Sequence, residues 1–143
     1  MINKVILSVS IAAALFFVGC STTNVKQTAK ADVTLTNTYF KAVSLNGKKA
    51  EVFEKEPFIK FEAKGSVIGN LGCNSFFGSF KKQNKNISFE NIGSTKMMCP
   101  NIKTEDAFAK VLQNVKTYEI RGESLTFFNE KDEEIATFKA IYF

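Results

Sequence analysis

The residues of this 143-residue chain best suited to chemistry are sulfur side chains. Cys73 precedes the run Met97-Met98-Cys99, and thiolate and thioether groups suit a soft ion such as Cu(I). A metal site is therefore one interpretation of this pattern. The others are a disulfide between Cys73 and Cys99, or two free buried thiols beside packed methionines. We favour the disulfide, and we expect no metal and no cofactor.

Most other catalytic chemistry lacks its residues. The chain has no histidine, which removes the usual general base near neutral pH, the Ser-His-Asp relay and the commonest metal ligand. Gly69 and Gly72 do not make a phosphate loop, because neither the lysine nor the helix of such a loop follows. The paired acids Glu105-Asp106 fall in the first turn of a predicted helix, where we expect them to be solvated. The chain is therefore predicted not to be an enzyme.

The N-terminal segment has the pattern of an export signal. Lys4 precedes a largely apolar run of fourteen residues, 5–18, a length typical of a signal-peptide core and short for a membrane span. The run ends in Phe17-Val18-Gly19-Cys20, which resembles the lipobox of bacterial lipoproteins, with Phe17 where Leu is usual. This resemblance implies cleavage before Cys20 and acylation of its thiol and of the new amino group. An ordinary signal peptide or a short anchor is the alternative.

We therefore expect a lipoprotein signal peptide at 1–19, a lipidated polar tether at 20–32 and one domain at 33–143. Several acyl chains would anchor the protein to the membrane. Ser21, rather than Asp, follows Cys20, so we expect the outer membrane and a periplasmic orientation.

An exported pair of cysteines favours the disulfide. Without Lys4 the net charge is a mild +4, which permits a weak attraction to anionic lipid, and we expect no nucleic-acid partner.

The pattern of residues 33–143 predicts an α+β domain that is mainly β. Asn46-Gly47 predicts a hairpin after a strand at 39–45, and residues 58–64 alternate, with Ala63 on the apolar face. Fifteen Phe, with no Trp, would supply much of the core. The expected architecture is one curled antiparallel sheet, or partial barrel, with a single packed helix. Further strands are predicted at 66–69, 78–82, 87–90, 92–97, 117–121, 124–128 and 134–142.

One segment departs from strand periodicity. Residues 104–115 place apolar side chains at helical spacing, with Thr104 or Asn101 available as the N-terminal cap. We expect the apolar stripe of this helix to pack on the sheet as core. The stripe consists of Phe108, Val111, Leu112 and Val115.

The centre of the domain carries the segment Gly72-Cys73-Asn74-x-x-x-Gly78-x-Phe80, followed by Thr95-x-Met97-x-Cys99. These two segments at this spacing resemble the META domain, or HslJ-like, family over about residues 38–140. Tyr39 stands where family members usually have Trp. The family motif positions here are Gly72, Cys73, Asn74, Gly78, Phe80, Thr95, Met97 and Cys99.

The motif residues also have a physical interpretation of their own. Gly72 and Gly78 predict positive φ or close backbone approach, and Asn74 predicts either left-handed backbone or hydrogen bonds that hold the turn. Cys73 and Cys99 would tie this turn to the segment before the helix. We interpret these motif residues as a structural connection that stabilises the fold, rather than as a binding surface.

The resemblance implies a non-enzymatic envelope lipoprotein with a binding or structural role linked to envelope stress, since the named bacterial member is a heat-shock protein. Its partners are predicted to be the membrane, through the N-terminal lipid, and an unknown envelope protein or lipid ligand. One alternative is a pilotin-like module that holds an acyl chain or partner segment, which a continuous Phe-lined cavity would favour. Another is an inhibitor of a periplasmic hydrolase, which an exposed rigid loop near residues 73–77 would favour.

Overall fold

The structure, a computed structural model, describes residues 31–143, so Cys20 and the predicted signal peptide lie outside the described residues. The described part contains nine strands and one helix. In chain order they are β1 (Tyr39–Leu45), β2 (Lys48–Lys49), β3 (Phe58–Phe61), β4 (Ser66–Asn70), β5 (Ser75–Gln83), β6 (Asn86–Ser94), α1 (Lys103–Asn114), β7 (Thr117–Arg121), β8 (Ser124–Phe128) and β9 (Glu134–Ile141).

All nine strands belong to one antiparallel sheet that curls into a ring. The order is β2-β1-β3-β4-β5-β6-β7-β8-β9, and β1 also pairs with β9, which closes the ring. Most neighbours pair over several residues, whereas β6 and β7 pair only at Asn86 and Thr117. The predicted class, α+β and mainly β with one curled sheet and a single helix, is confirmed.

The ring has two ends, because antiparallel neighbours place alternate connections on opposite sides. One end, here called the disulfide end, holds the turns at 46–47 and 71–74, the β2–β3 loop (residues 50–57) and the segment from β6 to α1. The opposite end holds the turns at 62–65, 84–85 and 122–123. The chain enters the domain there, where Val33 N–H donates to the Gly122 carbonyl at 2.9 Å.

Helix α1 covers the disulfide end with its apolar stripe turned inward. Phe108, Val111 and Leu112 are buried, and Val115, just after the helix, is buried too, so the predicted core role of the stripe is confirmed. The helix begins at Lys103 without a side-chain cap on its N-cap residue. The Asn101 side chain instead accepts the Lys103 N–H at 3.1 Å.

A continuous row of Phe rings fills the interior. Neighbouring ring centroids along the row are 4.9–6.5 Å apart, within the range of favourable aromatic contacts. All but Phe80 are essentially inaccessible to solvent. The interior of the ring is therefore packed with Phe side chains that come from β3, β5, β8, β9 and α1. In order, the row is Phe80, Phe61, Phe127, Phe138, Phe108 and Phe76.

The strands differ from the sequence prediction at their ends. β3 stops at Phe61 because the Gly65 N–H bonds to the Glu62 carbonyl and turns the chain, which leaves Ala63 exposed. The two strands predicted at 87–90 and 92–97 are one strand, β6, which a positive φ of 54° at Asn91 bends without ending it. Residues 95–97 lie outside any strand. No helix within residues 31–143 has the length and apolar character needed to cross a membrane.

Candidate functional site

The motif segment begins with the tight turn between β4 and β5. The Leu71 N–H bonds to the Asn74 carbonyl at 2.8 Å, and the Gly72 N–H bonds to Asn70 Oδ1 at 2.8 Å. Gly72 has a φ of +116°, and a Cβ there would lie 3.2 Å from Thr104 Cγ2. Both the backbone angle and the contact with α1 favour glycine, so the predicted role of Gly72 is confirmed.

Asn74 joins this turn to the segment before the helix. Its Oδ1 accepts hydrogen bonds from Thr95 Oγ1 at 2.8 Å and from the Met97 N–H at 2.7 Å. Its Nδ2 donates to the Met97 carbonyl at 3.2 Å. The backbone of Asn74 is not left-handed. Its side chain binds backbone that is 23 residues away, so it joins its turn to a distant segment and does not itself close the turn.

Glu105, in the first turn of α1, is the third partner of Asn74. Asn74 Nδ2 lies 3.0 Å from Glu105 Oε1, and the Asn74 N–H donates to Glu105 Oε2 at 3.0 Å. We expected this carboxylate to be solvated, and that expectation is wrong, because it is half-buried against the turn. The only sign of this contact in the sequence was the acid at position 105, in the first helical turn. The helix dipole alone also explains an acid at that position.

A disulfide between Cys73 and Cys99 completes the connection, as the sequence predicted. The Cα atoms are 6.3 Å apart, within the usual range for such bonds, and Cys73 is fully buried. Because both sulfurs are bonded, they offer no thiolates to a soft metal. Within residues 31–143 no group of three His, Cys, Asp or Glu side chains is placed to hold a metal ion.

Two motif residues lie apart from this cluster, along β5. A Cβ on Gly78 would come 2.6 Å from Ile92 Cδ1 and 3.0 Å from the Glu90 carbonyl, so this glycine allows β6 to approach closely where the register shifts. Phe80 stacks edge-on against Phe61 at 4.9 Å. Both residues serve the sheet and its core, not the turn.

The loops around the turn are also bonded to it. The Lys55 N–H donates to the Gly72 carbonyl at 3.0 Å, and Thr104 Oγ1 donates to the Glu51 carbonyl at 3.2 Å. Thr104 was one of the two predicted caps of the helix. Its hydroxyl instead holds the β2–β3 loop against α1. In the described residues, no buried side-chain polar atom lacks a hydrogen-bond partner.

Tyr39, at the position where family members usually have Trp, has an altered acid–base property. Its ring stacks on Phe58 with centroids 4.3 Å apart, and its hydroxyl donates to Glu56 Oε1 at 3.2 Å. Burial, and then the charge and hydrogen bond of Glu56, raise the pKa of the Tyr39 phenol well above its usual value. Lys41 forms an ion pair with the same carboxylate.

Comparison with known proteins agrees with this geometry. The META domain family matches residues 33–141, which include every strand, the helix and both motif segments. The chain belongs to the META domain family. Six of the eight motif residues of this META domain thus connect the β4–β5 turn to the segment before α1, and Glu105 bonds this connection to the first turn of α1.

Solved structures share the fold of this META domain. A protein known from an NMR structure is 26% identical, with a TM-score of 0.61 over 75% of this chain and 94% of that one. A protein from Burkholderia xenovorans, also solved by NMR, is 18% identical, with a TM-score of 0.60 over 76% of this chain and 85% of that one. A search of curated proteins gives no significant match.

Proposed function

We propose that the chain is a non-enzymatic envelope lipoprotein, anchored by acyl groups on Cys20, whose META domain has a binding or structural role in the periplasm. One observation carries this proposal. The polar groups of the family motif bind one another: both lone pairs and both hydrogens of the Asn74 side chain are used within the protein. This use of the Asn74 side chain supports a stabilising role for the motif rather than a chemical one.

The two alternatives have less support. A pilotin-like module would need a cavity for an acyl chain, but the interior where such a chain would lie is occupied by the Phe row. A hydrolase inhibitor would need an exposed rigid loop at residues 73–77, whereas Cys73 and Asn74 are buried. The link to envelope stress rests on the family resemblance.

A complementation experiment tests this proposal in the source bacterium. A strain lacking the gene should grow poorly under an envelope stress such as heat or detergent. The wild type should restore growth, and Cys20→Ser should fail. Glu105→Gln, which alters the helix partner of the motif residue Asn74, should restore growth, because a folded variant retains a purely structural role. Non-reducing electrophoresis and a melting curve would establish that each variant is folded.

Two results would contradict the proposal. Normal growth of the deletion strain under every stress would remove the stress role. Failure of a folded, disulfide-bonded Glu105→Gln variant would mean that the carboxylate bonded to the motif carries a chemical or binding activity of its own.

A further inference from the structure

A groove between the β1–β2 hairpin and α1 carries a concentration of positive charge. Its volume is about 460 Å³, and four lysines line it. Two acids, Glu51 and Asp106, also line it, so the groove has a net charge of +2. The four lysines are Lys48, Lys49, Lys103 and Lys110.

In the described part of the chain, the charges of these lysines, like those of several other lysines such as Lys64, are not neutralised by ion pairs. Lys41, Lys60 and Lys81 form ion pairs with glutamates at 2.5–3.5 Å. Within residues 31–143, none of the four groove lysines has a salt-bridge partner. Like charges gathered around one groove repel one another, and a bound anion would relieve that repulsion.

Three exposed apolar residues are neighbours, in the sequence, of residues that line this groove. Val52 and Phe53 directly follow Glu51, and Ile102 directly precedes Lys103. Their exposed fractions are 57%, 53% and 47%. The bonds from Thr104 to Glu51 and from Lys55 to Gly72 hold the loop that carries Val52 and Phe53 on the body of the domain. The loop segment with these exposed residues is therefore held next to the residues that line the positive groove.

From this arrangement we propose that the disulfide end binds the surface of an anionic phospholipid bilayer. The groove lysines contact the phosphate headgroups, and Val52, Phe53 and Ile102 enter the boundary between headgroups and acyl chains. Positive charge beside exposed apolar groups is the combination that favours binding at a bilayer surface. A soluble phosphate would use the lysines but would gain nothing from the apolar residues.

The geometry of the chain permits this contact at the anchoring membrane. The chain enters the domain at the opposite end, near Gly122. Twelve residues, 20–31, can extend by up to about 40 Å. A domain of this size is about 35 Å across. The bilayer contact also does not depend on acylation of Cys20, so it can be tested on the domain without its lipid.

The test is vesicle co-sedimentation of residues 31–143. This part contains the buried core of the described residues, from Leu35 to Ala140, in one closed sheet, so we expect it to fold on its own. We expect binding to vesicles with a third phosphatidylglycerol in phosphatidylcholine, and little binding to pure phosphatidylcholine. Each of Lys49→Ala and Lys103→Ala should weaken binding roughly fivefold, and Phe53→Ser should weaken it about tenfold. Inorganic phosphate at millimolar concentration should compete only weakly.

Two matched variants serve as controls. Lys64→Ala removes an exposed lysine at the opposite end of the ring. Phe77→Ser removes a phenylalanine that is 58% exposed on the outer face of β5. Both should bind the vesicles like the wild type.

Three results would overturn the proposal. These are no preference for anionic vesicles, equal losses for the groove and control variants, or full competition by inorganic phosphate, which would make the groove a site for a soluble anion. Failure here would leave the proposed lipoprotein role untouched, because that role rests on Cys20 and on the motif.

Discussion

Asn74 and Glu105 are 31 residues apart in the chain, and their side chains meet at 3.0 Å, joining the β4–β5 turn to the first turn of α1. The same asparagine binds Met97 and Thr95. One side chain thereby fixes three segments at the disulfide end.

Replacing Asn74 should be costly. Asn74→Ala removes the side-chain hydrogen bonds to the Met97 backbone, the Thr95 hydroxyl and Glu105, although the backbone N–H at position 74 can still donate to Glu105. Each buried polar group left unpaired costs about 1–3 kcal/mol. We expect a loss of about 2–4 kcal/mol in the free energy of unfolding, measured by urea titration. Asp106→Ala, an exposed acid in the same helical turn, is the control and should change stability by less than about 0.5 kcal/mol. Equal effects of the two variants would show that the Asn74 hydrogen bonds add no more stability than an exposed side chain does.

The disulfide should add stability of its own. Mass spectrometry of the non-reduced protein should show that Cys73 and Cys99 have lost two hydrogens. Cys73→Ser, Cys99→Ser and the double variant should each lower the free energy of unfolding by about 2–5 kcal/mol. The three values should agree, because each variant removes the same bond. Two alkylatable thiols in protein from the native envelope would reject the bond and revive the soft-metal interpretation.

The helix stripe should behave as core. Leu112→Ala should lower the free energy of unfolding by about 2–5 kcal/mol, and Phe108→Ala by about 3–5 kcal/mol, since both side chains are buried. Gln113→Ala, on the exposed side of the same turn, should have little effect. If Leu112→Ala and Phe108→Ala instead melted like the wild type but lost a bound lipid or protein, the stripe would be a ligand surface.

Tyr39 should make stability depend on pH in alkaline solution. Its phenol has a raised pKa in the folded state, so above about pH 10 the unfolded chain loses a proton that the folded protein keeps. The stabilisation is complete below about pH 10 and is lost as the pH rises towards the folded-state pKa. The free energy of unfolding should therefore fall more steeply with pH in the wild type than in Tyr39→Phe. If the free energy of unfolding fell equally steeply with pH in the two proteins, the raised pKa of Tyr39 would be rejected.

Local patterns in the sequence were enough to predict the sheet, the hairpin at Asn46-Gly47 and the helix. The apolar stripe of α1 follows directly from helical spacing, and positive φ at Gly72 follows from its place in a tight turn. The ends of the strands were harder to predict. The bend at Asn91 breaks the alternation of side chains in β6, although β6 continues to pair with β5 beyond a shift in register.

The contacts of the site could be predicted only in part. Paired cysteines and a glycine turn marked the right segments, but nothing local pairs Asn74 with Glu105, because ring closure and the position of α1 bring them together. The lysine groove was missed for a similar reason. Lys48 and Lys49 follow a hairpin turn far from α1 in the sequence, and only the fold places them in one groove with Lys103 and Lys110.

Anchoring at Cys20 is the central claim, and metabolic labelling with a radioactive fatty acid tests it most directly. Wild type and Cys73→Ser should both be labelled and recovered with the membrane fraction, while Cys20→Ser should be unlabelled. Labelling of Cys20→Ser equal to that of the wild type, or an unlabelled wild type, would contradict the account.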